Sequence, residues 1–172
     1  MSGDLFQDVL ESVTSSELKR QIKRFLEMNS NVANEHTLAA LIFNHLREDM
    51  LGNKPVYPYQ IKLEHEHNYS KSCPKENCKK NKHIHDIVFF SLNNSNLNLE
   101  CSIELKFVNK LMTKSKFGEF ECDVYHCSKS KNGLCLIIIH GGGQLLNHSF
   151  RSRLKSLGNQ ESVQVEFIDV GL

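Results

Sequence analysis

Apolar and polar residues change their rhythm several times along this chain, and each change marks an element. Residues 4–13 and 16–28 carry two short helical stripes. In the second, Leu18, Ile22, Phe25 and Leu26 share one side, while Lys19, Arg20, Lys23 and Arg24 lie outside it. Thr14, Ser15 or Ser16 supplies the cap, and Met28-Asn-Ser-Asn31 ends the pattern. Residues 33–48 form the strongest helix, with Leu38, Leu41, Ile42 and Leu46 on one stripe. Residues 52–63 read as a loop entering a strand, and residues 64–85 are polar. Residues 85–92 then read as a strand, 93–96 as a turn, and 97–108 alternate as a half-buried strand should. A helix over 117–129 precedes the apolar run Leu134-Cys-Leu-Ile-Ile-Ile-His140, which suits a strand buried on both faces. A helix over 144–157 and an alternating strand over 163–170 complete the chain. The order implies a mixed central β-sheet flanked by helices, an α/β layer architecture. Its 172 residues suffice for one domain, with residues 1–30 as an N-terminal helical extension.

Against this pattern, certain polar residues stand out. If the hairpin folds symmetrically about Ser95, Asp86 lies opposite Glu104, each nine residues from the centre. Opposed residues project from the same face, and Lys106 joins that face two residues along. Two carboxylates ~4–5 Å apart repel by roughly 3–4 kcal/mol at an effective dielectric of ~20. Such a pair calls for a cation between its members and reads as a divalent metal site. Glu35 lies three residues before Leu38 and seven before Ile42, on the buried side of its helix. An acid there is expensive unless it is paired or binds metal, though a first-turn acid also suits the helix dipole.

Composition adds boundaries. The net charge of +1 gives no global pull toward nucleic acid or membranes, so any basic surface is local. No run approaches the ~20 apolar residues of a membrane span, and the first residues lack a signal-peptide pattern. An intracellular, cytoplasmic protein with no membrane partner is expected. In that setting the six cysteines are thiols or metal ligands rather than a disulfide framework. Cys101, Cys122, Cys127 and Cys135 occupy apolar positions and read as small core residues. His65, His67, Cys73, Cys78, His83 and His85 crowd the polar stretch, symmetric about positions 75–76. A β-hairpin over 64–85 would bring His67, Cys73, Cys78 and His83 within reach of one structural Zn²⁺. The same hairpin would present Lys71, Lys75, Lys79, Lys80 and Lys82 to a phosphate backbone, or simply to water. Gly141-Gly-Gly143 lacks a following Gly-Lys-Ser/Thr and reads as a tight exit turn, with His140 as a capping residue.

An acid at the start of a helix (Asn34-Glu-His-Thr), an Asp opening a hairpin (His85-Asp-Ile-Val) and Glu104-Leu-Lys106 on the next strand, followed by a helix and a buried strand, resemble the PD-(D/E)xK nuclease superfamily. The resemblance covers residues ~33–140. His85 stands where relatives often carry Pro, and His126 where many with an acid in the following helix carry a basic residue; Asp123 would be that acid. The resemblance implies a restriction-endonuclease-like core and metal-dependent hydrolysis of phosphodiesters, with DNA as the substrate. Glu35, Asp86, Glu104 and Lys106 would be catalytic. Mg²⁺ or Mn²⁺ would be held by Asp86, Glu104 and the backbone carbonyl of Leu105, with Glu35 serving a second ion or a water. Lys106 would orient or deprotonate the attacking water. A homodimer would serve cutting of two strands. Two other classes compete: a non-catalytic nucleic-acid-binding or assembly module on the same fold, and a zinc-stabilised protein-interaction domain.

Overall fold

The computed structural model describes residues 5–51, 59–68, 82–93, 96–112, 114–141 and 146–171. Its elements run α1 (Leu5–Val13), α2 (Ser16–Asn29), α3 (Glu35–Leu51), β1 (Tyr59–Asn68), β2 (Lys82–Asn93), β3 (Asn96–Val108), α4 (Lys114–Cys127), β4 (Asn132–His140), α5 (His148–Glu161) and β5 (Val163–Val170). The five strands form one mixed sheet in the order β1-β2-β3-β4-β5. β1, β2 and β3 are antiparallel neighbours, whereas β3, β4 and β5 run parallel. None of the helices in the described residues is long and apolar enough to cross a membrane.

Alternation explains why the sheet is covered on both faces. On one face, Ile87, Cys101, Ile103, Leu105, Leu134, Leu136 and Ile138 pack with α1, α2 and α3. On the other, Val108, Cys135, Ile137, Ile139, Val163 and Val165 pack with α4 and α5. β4 feeds both clusters and is buried from Gly133 to Ile139, which is what its unbroken apolar run requires. Cys101, Cys122, Cys127 and Cys135 are all buried, as their apolar positions imply.

Capping residues fix where the helices begin. Ser15 accepts from the Leu18 N–H and starts α2. α5 starts at His148 rather than near residue 144, because Asn147 is its cap and accepts from the Phe150 N–H. α4 lies about three residues earlier than its apolar spacing suggested, spanning Lys114–Cys127. Gly158 sits where α5 meets β5: a Cβ there would lie 2.6 Å from both the Val163 carbonyl oxygen and Val165 Cγ2. Alanine gains roughly 1 kcal/mol in helix propensity over glycine, but overpacking against backbone costs typically 1–3 kcal/mol. Gly158→Ala is therefore expected to lower stability, read as a lower urea midpoint at an unchanged slope.

Candidate active site at the parting of two strands

β2 and β3 pair from Asn93 opposite Asn96 to Ile87 opposite Ile103, with a bulge between Phe89 and Phe90. One step beyond Ile87 and Ile103 come Asp86 and Glu104; the pairs from Asn93–Asn96 to Phe90–Leu99 fall one residue short of symmetry about Ser95, and the bulge makes up the difference. There the ladder between the two strands stops, while β2 continues against β1 as far as Lys82 opposite Asn68. The edge of β3 left open has backbone groups to satisfy, and side chains take them. The Leu105 N–H donates to Asp86 Oδ2 at 2.6 Å, and the Phe107 N–H donates to Glu35 Oε1 at 3.3 Å. Two of the sequence-derived acids thus replace a missing strand partner.

Local structure aims Glu35 at this gap. Asn34 and Thr37 form a reciprocal cap: the Thr37 N–H donates to Asn34 Oδ1 and the Asn34 N–H donates to Thr37 Oγ1, each at 3.0 Å. Helix α3 therefore opens at Glu35, on the face of the sheet opposite α4. A second tie comes from β1, where His36 Nδ1 lies 2.6 Å from Glu64 Oε1. Glu64 has φ 50°, a left-handed conformation that costs a non-glycine residue of order 1–3 kcal/mol. It lies between Leu63, opposite Ile87, and His65, opposite His85, so the bend falls across from Asp86.

Lys106 occupies the middle of the site. Its Nζ lies 3.4 Å from Glu35 Oε2, 3.5 Å from Glu104 Oε1 and 3.2 Å from Asp123 Oδ2. Its side chain is 13 % exposed, that of Glu104 5 % and that of Asp123 13 %. Three elements from both faces of the sheet meet at one ammonium. Asp123 projects from α4, which packs on the face that carries Glu104 and Lys106. His85, fully buried, places Nδ1 3.9 Å from Glu104 Oε2.

Three carboxylates contact one cation here, with Asp86 a fourth acid beside them, and the electrostatics reflect the imbalance. Burial, then the Glu104 charge, push Asp86 up to about 7, against the lowering effect of the Leu105 N–H and Lys106. Burial and the Asp123 charge hold Glu104 well above the usual carboxylate range. For Lys106, burial alone would depress the ammonium. The charges of Asp123, Glu104, Glu35 and Asp86 outweigh it and keep Lys106 firmly protonated.

The oxygen-only donor set suits a hard divalent cation such as Mg²⁺ or Mn²⁺. The spacing is that of carboxylates gathered on an ammonium: among the described residues, no three His, Cys, Asp or Glu side chains draw close enough to hold an ion between them. The residues match such a cation in the chemistry of their oxygen donors alone, and the Lys106 ammonium provides the positive charge between the acids.

All of Glu35, Asp86, Glu104, Leu105 and Lys106 converge. Asp123, the acid of the following helix, belongs with them. Its signal was the acid-in-the-following-helix position, but Glu119 and Glu121 lie on the same helix, and only the packing of α4 on β3 selects Asp123. On the hairpin, His67 lies opposite His83 and His65 opposite His85, matching the symmetry about 75–76. Lys82 opens β2, while Lys71, Cys73, Lys75, Cys78, Lys79 and Lys80 lie outside the described residues. The basic residues of α2 are exposed, with Arg20 paired to Glu17 at 2.7 Å and Lys23 near Glu27 at 3.9 Å. Within α5, Arg151 makes two 2.8 Å bonds to Asp169 and Arg153 pairs with Glu121. No family model, curated protein or solved structure matches this chain, and the chemistry of the site is the ground for its functional reading.

Proposed function

We propose that this protein is a divalent-metal-dependent nuclease of the PD-(D/E)xK type, cutting phosphodiesters in nucleic acid, with DNA the substrate suggested by the resemblance. One observation carries the reading: residues 35, 86, 104 and 106, distant in sequence, meet in the gap where β2 and β3 part. A solvated hairpin face gathers no such group. Mg²⁺ or Mn²⁺, held by Asp86, Glu104, the Leu105 carbonyl and Glu35, would supply a Lewis acid and a more acidic water.

The chain's own residues supply the rest. In hydrolysis a water oxygen forms the new bond to phosphorus, a P–O ester bond breaks, and the departing oxygen takes up a proton. Lys106 offsets the negative charge that builds on the phosphoryl oxygens. Lys106 would accept the proton of the attacking water only with the charges of the surrounding acids offset, as a cation held by them would do. Asp123 holds the Lys106 ammonium from the helix side. Glu35 and Asp86, each anchored on a β3 N–H, keep their carboxylates at fixed depth beside the strand. The Asn34–Thr37 cap sets the start of α3, and hence Glu35, and the exposed contact of His36 with Glu64 adds a tie to β1. Glu64→Gly retains the bend, since glycine accepts positive φ, but removes the tie. It is expected to leave the melting temperature near wild type while lowering kcat severalfold.

The hairpin preceding Asp86 would carry a structural Zn²⁺ on His67, Cys73, Cys78 and His83. The facing backbone positions of His67 and His83 support that placement. Metal analysis of purified protein, before and after Cys73→Ser, tests it. For the site itself, titration with Mn²⁺ is the experiment. Saturable binding in wild type, weakened at least tenfold in Asp86→Ala and Glu104→Gln, is the expected result. Binding indifferent to both substitutions would remove the basis of the proposal.

A further inference from the structure

The acids and Lys106 can work on a phosphate but cannot hold a base, and β3 leads from them directly into a hollow. The hollow measures about 390 Å³ and is lined by Phe107, Val108, Lys110, Leu111, Lys116 and Phe120 among others. Val108 lies two residues beyond Lys106 and packs on the α4 face, the face of Glu104 and Lys106. The hollow therefore begins about one strand repeat, ~6.6–6.8 Å, from Lys106. Its floor is apolar, with Val108 and Phe120 buried. Its rim carries Lys110 and Lys116, both exposed, and Leu111, which leaves 72 % of its surface in water. Lys116 pairs with Glu119 at 3.3 Å, more than half exposed on both sides, a contact worth little.

Resting on the nuclease reading, we infer that this hollow takes one unpaired nucleotide next to the scissile phosphate, so that single-stranded or locally unpaired nucleic acid is the preferred substrate. The volume falls at the small end of ligand sites, ~300–1,000 Å³, and accommodates one base with its sugar. An apolar floor accepts the face of any base, and lysines at the rim meet the phosphates on either side of it. Leu111, exposed at the rim, is an apolar side chain of the kind that serves as a wedge between bases in duplexes. A base still paired within a continuous duplex cannot enter without being turned out of its stack.

The experiment measures cleavage and binding separately. Mg²⁺-dependent cleavage is followed on single-stranded, fully paired and mismatched oligonucleotides of one sequence, with an abasic site stepped through each position. Binding of the single strand is followed by fluorescence anisotropy with Ca²⁺ in place of Mg²⁺. Wild type is compared with Leu111→Ser and with the Lys110→Ala/Lys116→Ala double variant, exposed substitutions that leave the core intact. Expected are cleavage of the single strand about tenfold or more faster than of the paired duplex, and a loss of about tenfold in affinity for an abasic site at one position only. The same loss in the variants would appear in KM rather than kcat. Equal cleavage of paired and unpaired strands, or affinity unchanged by the variants and by every abasic position, would overturn the inference. If wild type cuts nothing but the single strand binds with the abasic and Leu111→Ser losses, the hollow stands and the catalytic reading fails.

Discussion

Lys106→Met is expected to abolish metal-dependent cleavage and, in metal-free protein near neutral pH, to cost about 3–5 kcal/mol of stability. Both effects come from one position. The ammonium lies 3.2–3.5 Å from carboxylates on α3, β3 and α4, and it is the group that lets them approach one another. Methionine keeps the length and apolar stem but leaves Glu35, Glu104 and Asp123 facing each other in a largely buried space. A buried charge that has lost its partner costs far more than an exposed one. Glu104, held well above the usual carboxylate range by burial and the Asp123 charge, can answer by binding a proton, so the destabilisation should shrink as pH falls. Added Mg²⁺ should restore much of it, since a divalent ion supplies the missing charge. Denaturant unfolding of wild type and Lys106→Met, with and without Mg²⁺, checks each part. A variant as stable as wild type without metal would mean that the ammonium is not what holds the acids together.

Asp86→Asn is expected to remove cleavage while making the metal-free protein more stable than wild type above neutral pH. Asp86 rises from 3.8 to about 7 in the folded state, through burial first and the Glu104 charge second. A folded-state pKa above the unfolded one contributes stability that is fully present below about 3.8 and lost as pH climbs through about 7. Wild type should therefore weaken across that window by an amount of the order of a few kcal/mol. Asp169, held below its usual range by Arg151, works in the opposite sense, its contribution lost only as pH falls. Lys106, raised from an already high value, changes nothing in this range. Asparagine removes the titration at position 86 and keeps an oxygen for the Leu105 N–H, so the difference between the two proteins should grow from acid to alkaline pH. Excess Mg²⁺ should abolish it in wild type alone. A flat difference across pH would show that the position is solvated rather than sequestered.

Much of this site was readable because β-hairpins have a simple arithmetic. Nine residues on either side of Ser95 put Asp86 across from Glu104; the pairs from Asn93–Asn96 to Phe90–Leu99 are centred half a residue earlier, and only the bulge restores that sum at Phe89–Cys101 and Ile87–Ile103. The bulge at Phe89/Phe90 was not readable, since both residues are apolar and a shift leaves no mark in the pattern. Glu35 could be found because an acid on an apolar stripe is costly. Asp123 was harder: the choice among the acids of α4 depends on how that helix rotates against β3, a tertiary matter that spacing does not encode. Glu64 gave no signal, as a strained backbone at a charged residue looks like any polar position in a strand. By sequence His85 groups with the polar hairpin, yet its side chain is fully buried beside Glu104. The alternation that begins at Ile84, exposed, and His85, buried, sets its direction, and a cluster of ligand-type residues conceals that alternation.

The central claim concerns chemistry at one place, and cleavage is its most direct measure. Supercoiled plasmid and short single- and double-stranded DNA and RNA would be incubated with Mg²⁺ or Mn²⁺ and wild-type protein, beside Asp86→Ala and Lys106→Ala. Cutting that needs the metal and disappears in both variants is the expected result, and the substrate cut would name the class. Cutting that survives in either variant, or wild-type protein that binds neither metal and cuts nothing, would contradict it.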